Sequence, residues 1–94
     1  MGMKEADIEQ RLDWAVQRTG GKTWKFVSPA NRGVSDRIVC LPNGDTWFVE
    51  LKRPGGKRTA LQERFAKEMV GLRQQYALLS SAEEVDAWVT SISG

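Results

Sequence analysis

The sequence predicts a single α/β domain in which helices flank a mixed β-sheet. Apolar residues repeat at helical spacing in three segments, and two strand-like segments flank the turn Pro42-Asn43-Gly44. A helical segment then separates the second of these strands from a further one. Strands joined by a short turn pair antiparallel, whereas a crossover helix favours parallel pairing, so the sheet contains both kinds. With 94 residues, we expect one domain over residues 1–94 and one core.

The predicted elements follow the order αβββαβα. Their expected bounds are residues 4–18, 23–27, 36–41, 45–51, 60–71, 75–80 and a last helix from Ala82. The Gly20-Gly21 pair ends the first helix, and Pro29 to Ser35 reads as a loop rich in breakers.

The helices carry apolar stripes that predict which side faces the core. The expected inward residues are Ile8, Leu12, Ala15 and Val16 in the first helix, Leu61, Phe65 and Met69 in the second, and Val85, Trp88, Val89 and Ile92 in the third. Ser81 and Glu84 have the spacing of a capping box at the start of the third helix. The four tryptophans are expected in the core or at an interface.

The composition excludes several classes of site and of protein. The chain has no histidine, which excludes Cys/His zinc sites and Ser-His-Asp triads. Hydrolysis must therefore use carboxylates, lysine, hydroxyls or a metal held by oxygen. The lone Cys40 cannot form an internal disulfide, and no stretch resembles a signal peptide or a membrane span. We expect a cytoplasmic protein with no membrane partner.

The charge is unevenly distributed, although the net charge is only +2. Residues 50–64 carry an excess of basic side chains, whereas the last stretch carries Glu83, Glu84 and Asp86 with no basic residue. A basic patch suits a partner that bears phosphates, although on charge alone a solvated surface explains it equally well.

The turn Pro42-Asn43-Gly44 fixes the register of the predicted hairpin. Proline first and glycine third suit a type I turn closed by a glycine bulge, which pairs Leu41 with Asp45. Counting outward, Asp36 falls opposite Glu50, with Cβ atoms about 5 Å apart. Lys52 shares the face of Glu50 because side chains alternate along a strand.

This cluster of two carboxylates and one ammonium predicts a metal site. Two close carboxylates repel, and a divalent cation such as Mg²⁺ between them removes the repulsion. A bound cation can polarise a phosphate oxygen and acidify a water, while Lys52 orients that water or stabilises developing charge. The alternative is a strand-start aspartate at Asp36 and a surface ion pair of Glu50 with Lys52. The continuous apolar run Trp47-Phe48-Val49 favours the site, because it indicates a strand buried on both faces.

The spacing of Asp36 and Glu50-Leu51-Lys52 resembles the PD-(D/E)xK nuclease superfamily, and more closely its VRR-NUC (virus-type replication-repair nuclease) family. The similarity covers nearly the whole chain. It includes Ile8-Glu9, Gly20-Gly21, Lys25 to Pro29, Gly33 to Ile38, Phe48 to Lys52 and Leu61-Gln62. Ser35 departs from the family pattern, which usually has proline before the motif aspartate, but serine can hold the same extended conformation. The resemblance implies the αβββαβ(α) restriction-endonuclease-like core.

The resemblance also implies further site residues. An acidic residue of the first helix would reach the metal, either Glu9, which we favour, or Glu5. The Leu51 carbonyl would add a ligand, and Gln62 would help position the site or, with Thr59, form a capping box. The expected phosphate contacts are Arg32, Arg37, Arg53, Lys57 and Arg58.

The function implied by this resemblance is a Mg²⁺- or Mn²⁺-dependent DNA endonuclease. Its catalytic residues would be Asp36, Glu50, Lys52 and Gln62, and Glu9, Asp36, Glu50 and Leu51 would hold the metal. Stand-alone relatives resemble Holliday-junction resolvases, which implies a homodimer acting on branched DNA. The resemblance also implies a protein of a bacterial host cell or one encoded by a phage. The alternatives are a nuclease for flaps or other branches and a catalytically silent DNA-binding module.

Overall fold

The computed structural model describes residues 4–26 and 37–93 of the chain, and seven elements lie within them. In chain order they are α1 (Glu5–Arg18), β1 (Lys22–Lys25), β2 (Arg37–Cys40), β3 (Thr46–Leu51), α2 (Ala60–Gly71), β4 (Tyr76–Leu79) and α3 (Ala82–Ser93). The predicted order αβββαβα is confirmed.

The four strands form one mixed sheet in the order β1-β2-β3-β4. β1 with β2 and β2 with β3 pair antiparallel, whereas β3 and β4 pair parallel. The parallel pair is the one that α2 connects, as expected of a crossover helix.

The β2–β3 hairpin has the register predicted from its turn. Arg37 lies opposite Val49 and Cys40 opposite Thr46. The Leu41 amide donates to the Asp45 carbonyl at 2.9 Å, and the Gly44 amide donates to the Leu41 carbonyl at 3.0 Å. Gly44 has a φ of +93°, in the left-handed region that glycine enters without a Cβ penalty.

The hydrophobic core lies between one face of the sheet and the helices α1 and α3. Every second side chain of the strands points to this face, as strand geometry requires. The core comprises Ile8, Leu12, Ala15 and Val16 of α1, Val39, Leu41, Val49, Leu51 and Leu79 of the sheet and its hairpin turn, and Val85 and Val89 of α3. Trp47 and Trp88 pack against it in an edge-to-face pair with ring centroids 5.4 Å apart.

An ion pair joins the outer surfaces of α1 and α3. The Arg11 guanidinium donates to both oxygens of Asp86 at 2.8 Å, which lowers the pKa of the Asp86 carboxyl. Trp14, 46% exposed, lies beside it with the guanidinium groups of Arg11 and Arg18 over its ring. Trp14 and the exposed Trp24 are therefore surface residues of this chain.

α2 covers the opposite face of the sheet less completely. Phe65 makes edge-to-face contacts with Phe48 and Tyr76. The buried residues of α2 are Gln62 and Ala66, whereas Leu61 is 47% exposed. The predicted inward stripe of α2 is therefore wrong at Leu61, because the helix turns its capping glutamine towards the sheet instead.

Two helix starts show how well local signals predict caps. At α2 the Thr59 hydroxyl accepts from the Gln62 amide at 3.2 Å, and the Gln62 side chain accepts from the Thr59 amide at 2.9 Å. At α3 the Glu84 amide donates to the Ser81 hydroxyl, but the Glu84 carboxylate accepts from the Ser80 amide and not from that of Ser81. Within the described residues, no helix is long and apolar enough to cross a membrane.

Candidate active site

Glu50 is a fully buried carboxylate near the carboxyl end of β3. Its residue is 0% exposed, and strand alternation turns its side chain away from the aliphatic core and towards the α2 side of the sheet. One carboxylate oxygen, Oε1, accepts a hydrogen bond from the hydroxyl of Tyr76 on β4. A buried carboxylate is costly unless hydrogen bonds or charges compensate it, so this position is built around the charge.

Tyr76 is held by rings on one side and by polar groups at its hydroxyl. Its ring centroid lies 6.3 Å from that of Phe65. Burial and the hydrogen bond to Glu50 raise the pKa of the Tyr76 hydroxyl, against an opposing effect of the Arg58 side chain. The hydroxyl therefore stays protonated at neutral pH and remains a donor to Glu50.

Lys52 follows Glu50 where β3 leaves the sheet. Its amide donates to the Leu79 carbonyl at 3.1 Å, so the backbone is still paired with β4 at this point. Lys52 is half-buried, and alternation assigns its side chain to the face of Glu50. Glu50 and Lys52 thus stand on one face at one end of the sheet.

Asp36 and Arg32 lie outside the described residues. The pairing of Asp36 with Glu50 stays a prediction. This predicted pairing extends the hairpin register by one residue beyond Arg37. The four described pairs, from Arg37 to Cys40, have that same register.

Glu9 of α1 meets the other face of the sheet. Its carboxylate accepts a hydrogen bond from the Arg37 guanidinium, which also contacts Asp13 at 3.5 Å. Asp13 in turn accepts from the Thr23 hydroxyl at 2.6 Å. Because Arg37 lies opposite Val49, this cluster sits beneath α1, on the core side of the strand that carries Glu50.

A cavity of about 190 Å³ opens beside Glu9 at the same end of the sheet. Its lining residues are Glu5, Glu9, Lys25, Arg37 and Leu51. Leu51, the predicted carbonyl ligand, and both candidate glutamates of α1 therefore border one space. The cavity adjoins the strand residue directly after Glu50.

Comparisons with known proteins identify the family. The chain is 44% identical over 81 residues to a protein of Acyrthosiphon pisum secondary endosymbiont phage 1 named "Putative nuclease p44", covering 86% of this chain and 87% of that one. A solved structure described as a VRR_NUC domain matches with a TM-score of 0.86 and 25% identity, over 94% of this chain and 96% of that chain. The chain belongs to the VRR-NUC family. No family model matches it.

The VRR-NUC assignment confirms the family and fold that the motifs predict. The related sequence comes from a phage, which agrees with the expected bacterial or phage origin. Since the likeness extends over nearly the whole chain, it covers both strands of the hairpin and the helix α1 that borders the site.

The oxygen donors of this VRR-NUC chain fit a hard divalent cation, although the described part of the set is incomplete. Leu51 and Glu9 border one cavity at an end of the sheet, and the fully buried Glu50 carboxylate lies at the same end, on the opposite face of the strand from Glu9. Carboxylates and carbonyls are the ligands that Mg²⁺ and Mn²⁺ prefer. Within residues 4–26 and 37–93, no group of three acidic, cysteine or histidine side chains lies close enough together to hold a metal ion. The proposed set therefore depends on Asp36.

Gln62 is buried and committed to the start of α2. Its side-chain oxygen caps the helix through the Thr59 amide, which leaves its amide nitrogen outside the capping box. The capping interpretation of Gln62 is confirmed, and its role in the site stays a prediction.

The basic residues predicted to contact DNA differ in exposure. Arg53 and Lys57 are exposed in the loop between β3 and α2, and Arg58 is half-buried against Tyr76. Arg37 is only 7% exposed, because Glu9 and Asp13 draw it under α1. We therefore assign Arg37 to an internal ion pair and leave it out of the proposed DNA surface.

Two residues next to the site, Tyr76 and Asp13, were not predicted as site residues from the sequence. Tyr76 was expected only as part of a strand, and Asp13 only as part of a helix. Asp13 lies four residues after Glu9 on one face of the helix, and this spacing could have predicted that both carboxylates contact the same guanidinium, that of Arg37. No local signal links Tyr76 to Glu50, since their approach depends on how β4 pairs with β3.

Proposed function

We propose that this VRR-NUC protein is a Mg²⁺- or Mn²⁺-dependent DNA endonuclease that hydrolyses phosphodiester bonds. The observation that carries the proposal is the fully buried Glu50 carboxylate, followed two residues later by Lys52, at one end of a sheet with the VRR-NUC fold. A purely structural strand has no need of a buried carboxylate at this position, because an apolar side chain would avoid the cost of burying the charge.

Four groups would hold the cation in this proposal. Asp36 and Glu50 supply carboxylates, the Leu51 carbonyl adds an oxygen, and Glu9 completes the set from α1. When bound, the cation would polarise a phosphate oxygen and lower the pKa of a water molecule. In this proposal the Glu9 carboxylate would bind both the Arg37 guanidinium and the cation.

Lys52 and Gln62 act on the reacting groups. The Lys52 ammonium orients the attacking water or stabilises the charge that develops on the phosphate. Gln62 contributes through its amide nitrogen, which donates from a helix start fixed by the capping box. Both act from the α2 side of the sheet.

The DNA backbone would approach over the loop between β3 and α2. Arg53 and Lys57 are exposed there, and Arg58 borders the same loop. Together with Arg32 they would contact phosphates, which position DNA without reading its sequence. The protein would then recognise the shape of the DNA.

Branched DNA and a homodimer complete the proposal. A two-fold dimer presents two related active sites, which matches the symmetry of a four-way junction. The exposed rings of Trp14 and Trp24 offer large apolar surface for a dimer contact. Flap or other branched-DNA cleavage and a catalytically silent DNA-binding module are the competing functions.

The experiment that tests the proposal is a metal titration coupled to a cleavage screen. Mg²⁺ or Mn²⁺ should stabilise the folded chain by mass action, and Asp36→Asn should weaken this effect. Lys52→Ala should abolish cleavage while metal and DNA binding remain. An absence of cation binding at millimolar metal contradicts the site, and wild-type turnover of Lys52→Ala removes lysine from the chemistry.

The same preparation tests substrate and assembly. Four-way junction, flap, splayed and linear DNA are compared with and without Mn²⁺, and light scattering gives the mass in solution. We expect a dimer and a preference for the junction. A mass near 10.6 kDa with equal cleavage of junction and duplex would remove the resolvase function and leave the nuclease. Metal-independent DNA binding without cleavage of any substrate would support the silent module.

A further inference from the structure

The Glu50 carboxylate touches one side chain that no motif of the nuclease accounts for. Tyr76 of β4 donates its hydroxyl proton to Oε1 of Glu50. In the parallel pairing of β3 with β4, Phe48 lies opposite Tyr76 and Glu50 opposite Leu78. Tyr76 is therefore the diagonal neighbour of Glu50 on one face of the sheet, within reach of a long side chain.

The ring that carries this hydroxyl is fixed by its neighbours. Phe65 of α2 makes edge-to-face contacts with Tyr76 at 6.3 Å and with Phe48 at 6.0 Å between ring centroids. The three rings connect β3, α2 and β4. A hydroxyl mounted on a fixed ring constrains its acceptor more than one on a mobile side chain, because less freedom is lost on forming the bond.

Arg58 lines the same cavity as Tyr76, and its side chain opposes the rise in the pKa of the Tyr76 hydroxyl. Arg58 belongs to the basic loop between β3 and α2, the proposed DNA-facing segment. This loop therefore lies next to the tyrosine that donates to the buried carboxylate.

We propose that Tyr76 is a positioning residue for Glu50, because its hydroxyl holds the carboxylate in the orientation required for the cation. This inference rests on the proposed function, because it takes Glu50 to be a metal ligand. It deepens that function by adding a residue from β4 to a site otherwise drawn from α1 and the hairpin. Hydrogen bonds to ligating groups typically change metal affinity or activity by about 10–100-fold when they are lost.

The test is Mn²⁺ binding to the full chain, measured by calorimetry without DNA. Tyr76→Phe removes the hydroxyl and keeps the ring, and we expect about tenfold weaker Mn²⁺ binding. Val70→Ala, at an exposed position of α2 outside the ring cluster, is the control. It should leave both the melting temperature and the Mn²⁺ affinity unchanged. With junction DNA, Tyr76→Phe should lower kcat at saturating substrate more than it raises KM.

The outcomes separate this inference from the proposed function. If the wild-type chain binds Mn²⁺ and Tyr76→Phe binds it equally well, the positioning role is overturned and the nuclease stands. If the wild-type chain binds no Mn²⁺, the proposed function fails and the inference falls with it. Should Tyr76→Phe not fold, Phe65→Leu decides, because it loosens the Tyr76 ring and keeps the hydroxyl. A few-fold loss of Mn²⁺ affinity supports the positioning role, and wild-type affinity overturns it.

Discussion

The face of the sheet beneath α1 and α3 is filled with aliphatic side chains, whereas the face beneath α2 carries Glu50, Tyr76 and Gln62. On the first face Leu12, Val39 and Val49 are fully or almost fully buried. On the second face the contacts are edge-to-face rings, the hydrogen bond from Tyr76 to Glu50 and a capping box.

This difference indicates that the α1/α3 face mainly stabilises the fold, whereas the α2 face carries residues of the proposed active site. Aliphatic burial stabilises the α1/α3 face without directional demands. Among the described residues, the ring nitrogens of Trp47 and Trp88, which pack against this core, are buried without a hydrogen-bond partner. The charged cluster of this face, formed by Arg37 with Glu9 and Asp13, lies at the rim beside the cavity. On the α2 face the buried carboxylate of Glu50 is held by a directional hydrogen bond from Tyr76. An active site requires side chains held in fixed orientations in this way.

The largest expected effect on stability comes from creating a cavity in the aliphatic core beneath α1 and α3. Leu12 is fully buried between α1 and the sheet, and Leu12→Ala should reduce the free energy of unfolding by about 3 kcal/mol. Turnover per folded molecule should stay unchanged below the melting transition. Urea denaturation and single-turnover cleavage measure the two quantities.

The matched control on the other side is Val70→Ala in α2, where the side chain is 64% exposed. It should change the free energy of unfolding by less than about 0.5 kcal/mol. If Leu12→Ala loses turnover as well as stability, the separation between the two faces is wrong.

A smaller effect is expected at the rim, where Glu9 joins both regions. Glu9→Gln should weaken Mn²⁺ binding by about tenfold, a loss of roughly 1.4 kcal/mol, and should lower stability because the ion pair with Arg37 is lost. Glu5→Gln, the control on the same helix, should change neither. Calorimetry and thermal melts in EDTA give the two quantities.

The pattern of these two variants assigns the helix ligand. A loss of stability without a loss of metal affinity in Glu9→Gln would make Glu9 only the partner of Arg37. Weaker Mn²⁺ binding in Glu5→Gln instead would transfer the ligand to Glu5.

The smallest effect separates the two roles of Gln62. Thr59→Ala removes the hydroxyl half of the capping box and should cost about 1 kcal/mol of stability with normal turnover. Gln62→Ala should cost a similar amount and also slow cleavage. Denaturation and cleavage at saturating metal provide the comparison, and equal turnover in both variants would restrict Gln62 to capping.

Local signals in the sequence were sufficient for the order of the elements and the hairpin register. Pro42 and Gly44 fix a turn whose geometry specifies which residues face each other, because the closing hydrogen bonds leave no alternative pairing. The Thr59–Gln62 box was equally readable, since both partners lie within one helical turn. Leu61 was misassigned because helical spacing alone cannot tell which of two adjacent stripes meets the sheet.

By itself, the sequence determined the αβββαβα order, the pairing of β2 with β3 and the motif that names the family, since each depends on residues close together along the chain. Only the tertiary structure decided that Arg37 turns under α1 to Glu9 and Asp13, and that Tyr76 reaches Glu50. The parallel register of β3 and β4 is set by the packing of α2 across the sheet and not by a turn. Contacts that depend on that register have no signature in local spacing.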